Sequence, residues 1–140
     1  MTAPEDPHHG SCLCGGVDFT VTGALRDVLN CHCDRCRRTT GHHMAASAAA
    51  VADIEIVDSS TLRWYHPADD PAIGYAFCST CGSSLFWRPS HDAAQWSICA
   101  GSLDPPTGLA TTANWFADRA GDYHRLDPDL TAIPGNGYTD

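Results

Sequence analysis

The sequence contains no lysine: all eight basic residues are arginine, set against 17 acidic residues, fifteen of them aspartate, for a formal charge of −9. A field of that sign repels a phosphate backbone, which argues against a nucleic-acid partner. Long apolar runs are missing as well. A membrane helix needs about 18 uninterrupted apolar residues, and the most apolar stretch, "MAASAAAVADIEIV", is short and broken by Asp53 and Glu55. The opening "MTAPEDPHHG" has neither the basic nor the apolar region of an export signal, so a cytoplasmic location is expected. In that reducing setting clustered cysteines hold metal more often than they pair with each other. Internal repeats and low-complexity segments are also absent, and 140 residues is the size of one domain.

Residues 1–9 are polar and proline-bearing and read as a loose leader, with the domain spanning 10–140. From Val17 the chain alternates: Val17, Phe19 and Val21 share one face, and Asp18, Thr20 and Thr22 the other, the period of a half-buried strand. Further short strands are expected at 45–51, 54–57, 62–66, 73–77, 84–88, 96–100 and 109–116, separated by turn sequences such as "PADDP" and "GSLDPPTG". The alanine run 45–52 competes as a helix on propensity, but "VADIEIV" follows directly and no cap closes a helix, so strand is the reading. The pattern predicts an all-β domain of packed sheets or a partial barrel.

Seven of the eight cysteines fall into three groups: Cys12 and Cys14; Cys31, Cys33 and Cys36; Cys78 and Cys81. Neighbours two or three apart rarely reach disulfide geometry, whereas a turn aims both sulfurs at one ion. Zinc suits a tetrahedron of soft thiolates. Cys12 and Cys14 with the knuckle "CSTCG" supply four, a closed structural site. "CHCDRC" then offers three, the ligand count of a catalytic zinc with one open position. The alternative is a second closed site completed by His32, His42, His43 or Cys99, in a binding module without turnover. His32, between two ligands, is expected to point away from the ion they share. Cys99, in the apolar "WSICAG", reads first as a small core hydrophobe.

The strings "GSCLCGGVDF", "CHCDRCRRTTG", "FCSTCGSSLFW" and "ICAGSLD", in that order, resemble the glutathione-dependent formaldehyde-activating family, which includes centromere protein V. The resemblance covers about Gly10 to Asp104 and implies an all-β fold of the β-tent type. It implies a structural zinc on Cys12, Cys14, Cys78 and Cys81, and a second, exchangeable zinc on Cys31, Cys33 and Cys36. It implies a carbon-sulfur lyase run in reverse, joining formaldehyde to glutathione or another small thiol as co-substrate. A non-catalytic, zinc-stabilised thiol-binding or protein-interaction module is the alternative.

Three thiolates on a zinc dication leave a net negative cluster, so neighbouring cations matter. Arg35, Arg37 and Arg38 are three of the eight positive residues and are candidates to steer an anionic thiol and pair with its carboxylates. A solvated turn is the competing reading. Trp64, Trp87, Trp96 and Trp115 are expected in the core or a pocket wall. His8, His9, His66, His91 and His124 form no recognisable constellation, and Asp104 reads as a turn residue or hydrogen-bond acceptor.

Overall fold

A computed structural model describes residues 7–137, so most of the expected leader, residues 1–6, lies outside the described residues. Within them, eleven strands and one short helix follow in the order β1 His8–Ser11, β2 Asp18–Val21, β3 Val28–Cys31, α1 Asp34–Thr40, β4 Met44–Ala50, β5 Ile54–Asp58, β6 Leu62–Tyr65, β7 Gly74–Cys78, β8 Ser84–Arg88, β9 Gln95–Cys99, β10 Thr111–Trp115 and β11 Thr131–Ala132. The fold is all-β, in two sheets: β1-β2-β5, and a longer sheet in the order β11-β10-β3-β4-β9-β8-β7-β6. Most pairings are antiparallel; β10 runs parallel to both β3 and β11.

The alternation at 17–21 does what its period requires. Val17, Phe19 and Val21 are fully buried and meet Leu85, Phe86 and Ile98 of the longer sheet, with Phe19 edge-on to Phe86 at 4.9 Å between ring centroids. Gly10 on the neighbouring strand lies against the Phe19 ring, where a Cβ would overlap it. Trp64 and Trp96 pack on this first core. A second core of Leu29, Met44, Ala46, Ile73 and Tyr75 has Trp87 and Trp115 packed beside it.

The alanine run is strand β4, at the centre of the long sheet between β3 and β9. Ala46 belongs to the second core and Ala49 to the first, so both faces of this strand are covered. Small side chains suit a strand buried on both faces, and that packing outweighs the helix propensity of alanine.

Four elements depart from the sequence reading. Strand β1 includes His8 and His9, two residues before the expected domain start, because β1 pairs residue by residue with β2. Strands β3 and β11 have no counterpart among the strands that the sequence pattern predicts. The segment that carries Arg35, Arg37 and Arg38, for which a solvated turn is one of the two sequence readings, is helix α1, capped by the Cys33 side chain, with Asp34 in its first turn, Arg37 and Arg38 in its last, and Gly41 in the left-handed conformation at φ 85°. Those charges complement the helix dipole at both ends.

Candidate metal centre

The two cysteine pairs occupy matching hairpin turns. Between β1 and β2 the Cys12 amide donates to the Val17 carbonyl at 3.0 Å; between β7 and β8 the Cys78 amide donates to the Ser83 carbonyl at 3.0 Å. Each turn therefore projects two sulfurs, and the four meet with their Sγ atoms within 4.8 Å of one another. The Cys12–Cys14 and Cys14–Cys78 sulfur separations are both 3.7 Å. A disulfide needs about 2.05 Å. A zinc tetrahedron with bonds of about 2.3 Å has sulfur-sulfur edges of about 3.8 Å, so these residues fit zinc. Donors surround the sulfurs: the Val17 amide on Cys12 at 3.2 Å, the Thr61 hydroxyl on Cys78 at 3.2 Å and the Ser83 hydroxyl on Cys81 at 3.1 Å. Hydrogen bonds from Ser83 pull the Cys81 thiol down to about 5, a value that favours the thiolate a metal needs.

The second set is assembled by the junction of β3 and α1. Cys31 ends the strand, Cys33 is the N-cap of the helix and Cys36 sits three residues on, its amide donating to Cys33 Sγ at 3.3 Å. Cap and third helical residue naturally face each other, which is how a C-x-C-x-x-C spacing brings three sulfurs within 4.8 Å. The cluster divides its protons unevenly. Hydrogen bonds from Cys31 and Cys36, with the Cys36 and Arg35 amides, hold the Cys33 thiol far below its ordinary value. Hydrogen bonds to Cys31 and Cys33, with burial, push the Cys36 thiol up.

No fourth cysteine, histidine or carboxylate among the described residues joins this cluster. His32 turns away, as its flanked position predicted: it is fully buried, and its Nε2–H donates to Asn114 Oδ1 at 2.8 Å. His42 and His43 gather with His124 instead, in a separate group. Cys99 lies apart in β9 against the second core, where burial pushes its thiol up to about 12.

All three thiols line a cavity of about 520 Å³, and none of the other four does. Its floor is the second core: Leu29, Met44, Ile73 and Tyr75, with Trp87 and Trp115 as walls. Three arginines reach it, Arg26, Arg35 and Arg119. Arg35 pairs with Asp69 at 2.8 Å and Arg119 with Asp34 at 3.2 Å. Arg26 is held otherwise: its Nη2 donates to the Ala46 and Ser47 carbonyls at 3.0 and 3.3 Å, and its guanidinium lies 5.9 Å from the Trp115 ring centroid. None of the described ion pairs involves Arg26. Of the arginines singled out by sequence, Arg35 lines the cavity, while Arg37 turns toward Asp34 at 3.9 Å and Arg38 is exposed on α1. Sequence reasoning misses Arg26 and Arg119. Arg119 reaches Asp34 across 85 positions, and only the fold unites it with the thiols.

A family model for the glutathione-dependent formaldehyde-activating enzyme matches residues 7–119. The chain belongs to that family. A crystal structure of a Rhodobacter sphaeroides protein superposes with a TM-score of 0.59 at 24% identity, covering 74% of this chain and 99% of that one, a likeness of fold alone. No curated protein is a significant match in sequence. This member of the formaldehyde-activating family carries both cysteine clusters able to hold zinc. Among the described residues no helix is long and apolar enough to cross a membrane.

Proposed function

We propose that the protein joins a small aldehyde, formaldehyde, to a low-molecular-weight thiol of the glutathione kind, a carbon-sulfur lyase reaction run in the direction of addition, at Cys31, Cys33 and Cys36. One observation carries this reading: the three-thiol cluster opens onto the 520 Å³ cavity and the four-thiol cluster does not. A volume of that order suits a small-molecule ligand, for which about 300–1,000 Å³ is usual.

Zinc held by the three thiolates would act as a Lewis acid that favours the thiolate form of an incoming thiol and polarises a carbonyl, with the neighbouring arginines offsetting the net negative charge of the cluster. The chain's own residues do the rest. The apolar floor of Leu29, Met44 and Ile73 excludes water from the reacting atoms. Arg26, fixed by two backbone carbonyls and carrying no carboxylate partner among the described ion pairs, receives a carboxylate of the thiol substrate. Arg35 and Arg119, already paired with Asp69 and Asp34, set the positive rim. In the addition the sulfur-carbon bond forms, the carbonyl π pair moves to oxygen, and the thiol proton ends on that oxygen.

The test is exchange NMR of formaldehyde and glutathione with their S-(hydroxymethyl) adduct. The wild type is expected to accelerate exchange and Cys33→Ala to lose the acceleration while keeping the metal of the four-thiol set. Equal rates for the two proteins remove the proposal.

A further inference from the structure

The imidazoles of His42, His43 and His124 offer one nitrogen each, and the three lie within 4.8 Å of one another. His42 and His43 follow Gly41, the residue that ends α1 in the left-handed conformation, and His124 comes from the loop after β10, fixed by its amide donating to the Gly121 carbonyl at 3.0 Å. The His42 ring centroid is 4.3 Å from that of His43 and 4.5 Å from that of His124. None of the three lines the thiol cavity.

Packing alone does not account for this group. His43 Nδ1 is buried with no hydrogen-bond partner, an arrangement that costs about 1–3 kcal/mol in a protein interior and that an apolar side chain would avoid. Tyr123 is 66% exposed, yet its hydroxyl sits 3.0 Å from His42 Nδ1. An outer partner on one imidazole nitrogen fixes the tautomer and aims the other nitrogen at an ion. With Nδ1–H donating to the Tyr123 oxygen, His42 Nε2 presents its lone pair. His32 backs the group, stacked 5.9 Å from His124 and edge-on to His43 at 4.9 Å, while its own Nε2–H is committed to Asn114.

We infer that His42, His43 and His124 form a third metal site, one that takes a divalent first-row ion of the imidazole-preferring class, such as zinc, cobalt or nickel, with water completing its shell. Three histidines and an open position are a known ligand set for zinc. Bonds of about 2.0–2.1 Å put the nitrogens of a tetrahedron about 3.4 Å apart, so binding draws the three rings inward by about 1 Å from the 4.8 Å limit. Sulfur takes no part, which separates this site from both cysteine clusters.

The zinc-loaded protein is titrated with Co(II) and followed by visible absorption. One equivalent is expected to bind with ligand-field bands, without a sulfur-to-cobalt charge-transfer band and without release of zinc. Zinc already resident at the imidazoles reads out instead as one equivalent more in the wild type than in His124→Asn. His124→Asn loses this equivalent, and Tyr123→Phe binds it about tenfold more weakly, both keeping the zinc of the thiol sites as a check on folding. Cobalt that binds only by displacing zinc, that does not bind at all with no surplus zinc present, or that binds His124→Asn as it binds the wild type overturns the inference.

Discussion

On the proposed function, Arg26 is the side chain whose substitution tests substrate recognition most directly. A charge-assisted hydrogen bond to a carboxylate is worth about 1.5–3 kcal/mol, or roughly ten- to hundredfold in affinity. If Arg26 receives the thiol's carboxylate as proposed, Arg26→Gln is expected to raise KM for the thiol by that factor with kcat little changed, because the contact would lie on a part of the substrate that does not react. Arg38→Gln, exposed on α1, is expected to leave both constants alone; steady-state kinetics with varied thiol distinguishes the two. A second residue-scale prediction concerns His9, whose ring lies between Asp104, 2.6 Å from Nδ1, and Asp18, on Nε2 at 2.5 Å. Hydrogen bonds to Asp104 and then Asp18 raise its pKa above the ordinary 6.5. A histidine raised on folding contributes stability that is fully present below its unfolded pKa and is lost as pH rises through the folded value. The melting-temperature difference between wild type and His9→Gln should be largest at about pH 5.5–6 and shrink as pH climbs beyond about 6.5; a difference that grows with pH contradicts this.

At the scale of elements, α1 shows why part of the site was hidden in the sequence. Its N-cap is Cys33, a residue outside the usual serine, threonine, aspartate and asparagine caps, so the sequence carries no helix-start signal over these seven residues and leaves a solvated turn open as a reading of the arginines at 35, 37 and 38. The period-2 face of Val17, Phe19 and Val21 and the spacing of seven cysteines were legible because each is local. Arg26, Arg119 and the histidine group were not, since His42 and Tyr123 meet across 81 positions and only the sheet order brings them together. The cap gives a clean separation of helix from metal. Cys33→Ser keeps an oxygen that caps well, so it should abolish metal at the three-thiol set with little loss of helix, as read by metal content and far-UV circular dichroism. Gly41→Ala meets no neighbouring atom within 4 Å yet must hold φ 85°, and is expected to cost about 1 kcal/mol in chemical denaturation.

Across the whole molecule the two cysteine sets differ in how much chain they span. Cys31, Cys33 and Cys36 lie within six residues on β3 and α1, whereas Cys12 and Cys14 tie the turn of the smaller sheet to the β7–β8 turn of the longer one. An ion on the first set closes almost no loop, so its removal leaves the folded state nearly as stable. An ion on the second crosslinks both sheets, and its binding free energy enters the folding free energy directly. Titration with a strong chelator should therefore release the three-thiol metal first with an unchanged melting temperature. The four-thiol metal should leave only together with the circular-dichroism signal of the sheets, and Cys81→Ala should reproduce that second loss while Cys36→Ala reproduces the first. Release of both metals from a protein that melts as before would mean that the shared core of Val17, Phe19 and Val21 against Leu85, Phe86 and Ile98 holds the two sheets together without a metal crosslink.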